Sequence, residues 1–223
     1  LTEVIIRGAV TDPCISETIY RNLDIVVSDD PEGRLPHWLL GRIDRGFRLR
    51  FALQSPAVSG AYDCVLIDTQ GAVGPLQDAA VMAADILVSP ITPEILSARE
   101  FRDGTLALLE RLEAGSALGA TLAPMKAVIY RQDRTVDART IAVGMREDFL
   151  PLNARVSVLD TAVPHAKAYK EAATLRMPAH RHERRRDGVT PSAYEVMHRL
   201  AWELIPSLQG VYADAGAPRR RAA

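Results

Sequence analysis

Residues 62–74 read Tyr-Asp-Cys-Val-Leu-Ile-Asp-Thr-Gln-Gly-Ala-Val-Gly and set a carboxylate at the end of an apolar run. Cys64-Val65-Leu66-Ile67 reads as a buried strand with Asp68 at its tip, and Thr69, Gln70, Gly71 and Gly74 follow. An acid in this place suits a Walker B role, holding Mg²⁺ beside the phosphates of a nucleotide. Magnesium is a hard ion that takes oxygen ligands and keeps several waters, so one carboxylate is a sufficient contribution from this strand. Gly71 and Gly74 would let the loop change shape according to the phosphates present. Four apolar residues and an Asp describe equally well an acid that caps the helix opening at Pro75 or ends an ordinary turn.

Two other groups of side chains have chemical potential. Arg176, Arg181, Arg184, Arg185 and Arg186 stand against a single acid, Glu183. Such a cluster supplies the salt-sensitive, phosphate-neutralising contacts that bind nucleic acid, or else forms a solvated loop. His180-x-His182 has the spacing of a metal pair, but no Cys or third His stands near it in sequence, which favours a solvated loop. Neither a Gly-x-Ser-x-Gly nor another nucleophile–base pattern occurs.

The elements that must position these groups alternate in type. Residues 23–29, 64–68, 85–91, 126–130 and 156–163 read as strands. Helical patterns fill 36–55, weakened by Gly41 and Gly46, then Pro75–Ala84, Glu94–Glu113, Val136–Phe149 and 165–175. A last helix is expected from Thr190-Pro191. It should bury Tyr194, Met197, Ala201, Leu204 and Leu208. Alternation of this kind predicts an α/β fold, a mostly parallel twisted sheet with helices on both faces. In such sheets ligands sit beyond the carboxyl ends of the strands, where Asp68 falls. Residues 1–208 read as one domain and 209–223, with Arg219–Arg221, as a flexible basic tail.

Composition narrows the function classes. Hydrophobic residues make up 48% and charged residues 25% of the 223, so a sizeable core is available. Aromatics are only 5%, so that core rests on Leu, Ile, Val and Ala. A formal net charge of −1 gives no global attraction to nucleic acid or membrane, which leaves local patches. Cys14 and Cys64 form no disulfide framework and fit a reducing cytoplasm. No apolar run reaches the ~18 residues of a membrane span.

The stretch from Tyr62 to Phe101 resembles the ParA family of partition ATPases, within the ParA/MinD group of deviant P-loop proteins. The matching features are Tyr62-Asp63, Ile67-Asp68-Thr69, Gly71 and Gly74, Ala83-Ala84-Asp85, Pro90 and Pro93-Glu94. Val163-Pro164, Glu171-Ala172 and Pro178 are similar to late elements of that family, so the likeness runs over about residues 1–208. It implies a P-loop NTPase-like fold and a site for ATP and Mg²⁺. Asp68 would be the catalytic acid, holding Mg²⁺ through water, and Thr69, Gln70 and Gly71 would sense the γ-phosphate. Tyr130, Arg131 and Pro164 would flank the base. The resemblance further implies an ATP-dependent homodimer, non-specific DNA binding through Arg176, Arg181, Arg184, Arg185 and Arg186, and a ParB-like centromere-binding partner. The setting would be plasmid or chromosome partition in a nucleoid-associated, cytoplasmic protein without a membrane role.

The departures are specific. The family's defining Gly-rich loop carries two lysines, and this sequence has no Gly-Lys pair. That predicts a chain lacking the first strands and the phosphate cradle, inactive as an ATPase by itself. It also predicts an unpaired edge at the 64–68 strand. Gln70-Gly71 replaces two prolines usual in the switch loop. The competing reading is a non-catalytic homologue that serves as a binding or dimerisation module.

Overall fold

The computed structural model describes residues 1–70, 73–116, 122–149 and 155–209. The chain groups into two units, one of Leu1–Leu87 with Ala107–Ala123 and one of Val88–Leu106 with Pro124–Ala223.

The first unit is built mainly from short helices. It contains α1 (Thr2–Arg7), an antiparallel pair β1 (Ser16–Glu17) and β2 (Asp24–Ile25), α2 (Arg34–Leu40), α3 (Arg48–Leu53), α4 (Pro56–Ser59) and α5 (Pro75–Ala83). Adjacent residues of α1 serve two clusters. Ile5 packs with Leu35, Leu39, Leu49, Ala79 and Ala80, and Val4 packs with Val10, Ala52 and Val58.

The helix expected over 36–55 is three helices. Asp30 accepts hydrogen bonds from the backbone N–H of Arg34 (2.9 Å) and Leu35 (2.7 Å), which satisfies donors at the start of α2. Gly41 caps its end. Arg48 then opens α3 and donates to the carbonyls of Ile5 and Ile6 while pairing with Asp44 at 2.9 Å. Pro56 disfavours helical geometry at Ser55, so α3 cannot run into α4. The strand expected over 23–29 is reduced to the two residues of β2, and Leu23, Ile25 and Val27 are exposed.

The second unit holds the parallel sheet. Its elements are β3 (Leu87–Ile91), the start of α6 (Ile95–Ser116), β4 (Met125–Gln132), α7 (Val136–Phe149), β5 (Val156–Val158), β6 (Val163–Pro164), α8 (Lys167–Thr174), α9 (Ala179–His182) and α10 (Ala193–Leu204). The strand order is β3-β4-β5, with β6 also on β4. Side chains of β4 alternate between two helical layers, as the pleat requires. Ala127 joins Ile91 and Met145 beneath α6 and α7, while Val128 joins Leu159, Val163 and Val196 beneath α8 and α10. The expected α/β arrangement, a parallel sheet flanked by helices, is thus realised here.

The strand expected over 156–163 is split. Met125 lies opposite Val156 and Ala127 opposite Val158, but Tyr130 lies opposite Val163, so the register slips between β5 and β6. The intervening turn is clamped from α10. Glu203 accepts the backbone N–H of Asp160 (2.6 Å) and of Thr161 (2.9 Å), and Arg146 donates to the Leu159 carbonyl at 2.8 Å. At the start of α10 the cap is Ser192, in a reciprocal box with Glu195, two residues beyond the expected Thr190. The buried face is correspondingly Ala193 and Val196, with Met197, Leu200 and Leu204 partly buried against it.

Candidate nucleotide site and basic segment

In the first unit the run 62–68 forms neither helix nor strand and pairs with no strand among the described residues. Two side chains hold it. The Tyr62 hydroxyl donates to Asp24 at 2.7 Å, and Ile67 packs on the cluster around Ile5 and Leu39. Between them Cys64 is exposed, Val65 is 44% exposed and Leu66 is 88% exposed. The expectation of a buried strand enclosing Cys64 is therefore corrected. No ladder among the described residues engages its peptide groups, and the side chains between the two anchors are exposed.

Asp68, Thr69 and Gln70 are exposed at the end of this run, and Gly71 lies outside the described residues. Among the described residues no hydrogen bond or ion pair engages the Asp68 carboxylate. Nor is any group of three or more His, Cys, Asp or Glu side chains arranged there to hold a metal. The donors at hand, a carboxylate and the Thr69 hydroxyl, are hard oxygens of the kind magnesium takes, with water and phosphate oxygens completing its shell. The chemistry of the donors fits the ion.

In the second unit the structure brings Tyr130, Arg131 and Pro164 together. Tyr130 faces Val163 across the ladder and Gln132 faces Pro164, with a bulge between them. Arg131 is the bulged residue and takes a left-handed backbone, φ 56°. Tyr130 is 42% exposed. Just beyond, the backbone N–H of His165 donates to the Gln132 carbonyl at 3.0 Å, extending the alignment by one more bond.

These strand ends open into a cleft of about 660 Å³ whose walls include Asp133, Arg134, His165, Lys167, Glu171 and Arg186. Most of its charges are paired, while Arg134 donates to the Thr190 hydroxyl. His165 Nδ1 lies 2.9 Å from Asp133, and Lys167 Nζ lies 2.7 Å from Glu171, whose other oxygen is 3.4 Å from His182 Nε2. The Lys167 hydrogen bond, then that of His182, holds the Glu171 carboxyl below its ordinary range, and Glu171 in turn raises Lys167. Arg186 makes two bonds of 2.8 Å to Glu183. Such a cleft offers donors and acceptors to a polar ligand. Its residues escaped the sequence reading because Asp133, His165 and Glu171 are distant in the chain. The only available signal was their position just after two adjacent strand ends.

The histidines of His180-x-His182 serve different neighbours. His182 faces Glu171, whereas the ring of His180 lies 6.3 Å from that of His198. Burial, and secondarily His198, lowers the pKa of His180. Within the basic segment, Arg181, Arg184 and Arg185 are exposed, and Arg176 sits at the turn after α8 with φ 51°. Arg186 turns inward onto Glu183, whose second role is to accept the N–H of Ala193 at 2.8 Å. The tail arginines Arg219–Arg221 lie outside the described residues. Among the described residues no helix is long and apolar enough to cross a membrane.

No family model and no curated protein matches the sequence. Solved structures do match the fold. An ATP complex of McdA from Cyanothece aligns with a TM-score of 0.66 at 17% identity, over 95% of this chain and 74% of that one. A partition protein aligns with a TM-score of 0.63 at 16% identity, over 94% of this chain and 57% of that one. Cobyrinic acid a,c-diamide synthase from Mycobacterium smegmatis, with a bound ATP analogue and magnesium, aligns with a TM-score of 0.60 at 22% identity, over 86% and 75%. The chain therefore has the fold of the ParA-type partition ATPases, a P-loop NTPase-like α/β architecture that it shares with an ATP-binding synthase.

Proposed function

We propose that the chain is the sheet-bearing part of a ParA-like partition ATPase. The observation that carries this reading is the exposed Asp68-Thr69 pair at the end of an anchored apolar run, within a chain of partition-ATPase fold. Asp68 would hold Mg²⁺ through water, and Thr69, Gln70 and Gly71 would form the loop that senses the γ-phosphate. Bound magnesium would neutralise charge on the phosphates. In the second unit, Tyr130, Arg131 and Pro164 would flank the base and exclude water from one side of it.

The absence of a Gly-Lys pair means that these residues do not themselves cradle the phosphates, so hydrolysis needs a cradle supplied from outside this sequence. In the complete protein, Mg-ATP would bring two copies together. The dimer would bind DNA without sequence preference through Arg176, Arg181, Arg184 and Arg185, with Arg186 bracing the segment through Glu183. A ParB-like partner would stimulate turnover during plasmid or chromosome partition, in a nucleoid-associated, cytoplasmic setting.

The same missing Gly-Lys pair also favours a second reading, a non-catalytic ParA-like module that binds or dimerises. Magnesium-dependent ATP hydrolysis by the complete protein decides between them. The ATPase reading expects Asp68→Ala to lower the rate at least about 100-fold with the fold intact. A complete protein without hydrolysis, or an Asp68→Ala variant as fast as its parent, overturns it and leaves the binding module.

A further inference from the structure

The outward face of α7 has no covering element among the described residues, and its composition is unusual for a solvated helix. The inward face is conventional, with Ala138, Ala142, Met145 and Phe149 buried. The outward stripe at helical spacing is Val136, Arg139, Thr140, Val143, Gly144 and Glu147, and these six line a shallow groove of about 490 Å³. Val136 is 75% exposed and Val143 is 53% exposed. Thr140 spends its hydroxyl on the Val136 carbonyl at 3.0 Å, which leaves its methyl to the groove. Gly144 stands in open space, where a Cβ would meet nothing within 4 Å. A mid-helix glycine costs roughly 1 kcal/mol relative to Ala. Packing among the described residues gives no return for it, whereas a second backbone lying close against α7 would.

The charges indicate what that second backbone is. Arg139 and Glu147 stand one helical turn on either side of Val143. Their order opposes the dipole of their own helix, with the cation toward the N-terminal end and the anion toward the C-terminal end. Of the other charges of α7, Asp137 in the first turn and Arg146 in the last follow the dipole, whereas Asp148, next to Glu147, does not. Arg139 is held over the helix start by donating to the carbonyls of Thr135 (3.3 Å) and Arg134 (3.1 Å). An antiparallel copy of the same helix, related by a two-fold axis through Val143, would set each Arg139 against the other chain's Glu147. It would also stack Val143 on Val143 and bring the Gly144 backbones into close approach. A stripe that is self-complementary about its own centre is the signature of an isologous contact.

We propose that α7 is a self-association surface on which two copies of this chain pair antiparallel, without nucleotide. This rests on α7 alone and holds whether or not the chain belongs to an ATPase. Two helices of this length bury less than the roughly 1,200 Å² of the smallest stable interfaces, so the association is weak.

Sedimentation equilibrium of the nucleotide-free chain from about 10 μM to about 1 mM tests it. The mass should climb from one chain toward two. Arg139→Glu and Glu147→Arg should each weaken association at least about tenfold, because each places like charges opposite one another twice. An equimolar mixture of the two variants should associate at least as well as the parent, because only the mixed pair restores both contacts. Val143→Asp, which sets two carboxylates on the axis, should leave a monomer with an unchanged circular-dichroism melt. A parent chain that stays monomeric throughout overturns the proposal and assigns the face to another protein. Single variants that associate like the parent, or a mixture no better than its components, overturn it equally.

Discussion

Two apolar runs of nearly equal strength meet opposite fates in this molecule. Val65-Leu66-Ile67 forms no strand and is mostly exposed, with Leu66 88% accessible. Ala127-Val128-Ile129 is the heart of β4, and none of its residues is more than 4% accessible. The difference lies in neighbours. β4 has β3 on one side, β5 and β6 also paired to it, and helices over both faces. The 64–68 run has two point anchors, Tyr62 and Ile67, and no ladder among the described residues. A β-strand is a property of a pair, and hydrophobicity alone does not create one.

That contrast can be broken most forcefully by shortening one residue in each run. Ile129→Ala should cost about 2–5 kcal/mol in chemical denaturation, the usual price of an aliphatic cavity in a closed core. Leu66→Ala should stay within about 0.5 kcal/mol. Equal losses at the two positions would mean that the 64–68 run is buried as β4 is.

A smaller effect isolates the register slip on β4. Glu203→Ala removes the acceptor for two backbone N–H groups at Asp160 and Thr161, and should cost about 1–2 kcal/mol. Its specific mark would be faster hydrogen exchange at those two amides than at Val156 or Val158. Uniform exchange along 156–164 would show that the clamp does not set the break between β5 and β6.

The smallest effect is protonic and sits in the second unit. The two tryptophans report separately, Trp38 near the guanidinium groups of Arg42 and Arg48 in the first unit and Trp202 beside His198 in the second. His180 has a lowered pKa in the folded state because burial disfavours its charged form. Its contribution is therefore complete above the ordinary histidine value of ~6.5 and is lost as pH falls through the lower folded value. Acidification from about pH 7.5 to about pH 5.5 should lower the unfolding midpoint seen by Trp202, and His180→Gln should remove much of that fall. A midpoint that rises on acidification would contradict the assigned direction.

Legibility in the sequence follows the same division. The helix over Val136–Phe149 was readable because Ile141, Met145 and Phe149 recur at helical spacing, and a local period is enough to define a helix. The strand at 126–130 was readable because its apolar run did find neighbours. The 23–29 and 64–68 runs carry the same signal without them, so composition could not separate the cases. The break within 156–163 depends on Glu203, far along the chain. Asp133, His165 and Glu171 meet only because two strand ends lie side by side. At the candidate site, the place of Asp68 after an apolar run was legible, but its exposure was not.

The Glu203 clamp has a temporal consequence. Its carboxylate reaches back 42 and 43 residues to the turn just before β6, the strand that leads into the cleft wall at His165. During synthesis β6 emerges well before α10 exists, so that edge of the sheet must wait, correctly paired but unlocked, for the C-terminal helix to arrive. A ribosome paused before residue 203 would hold a nascent chain whose cleft wall is not yet fixed, and closure of this unit becomes one of the last events of its folding.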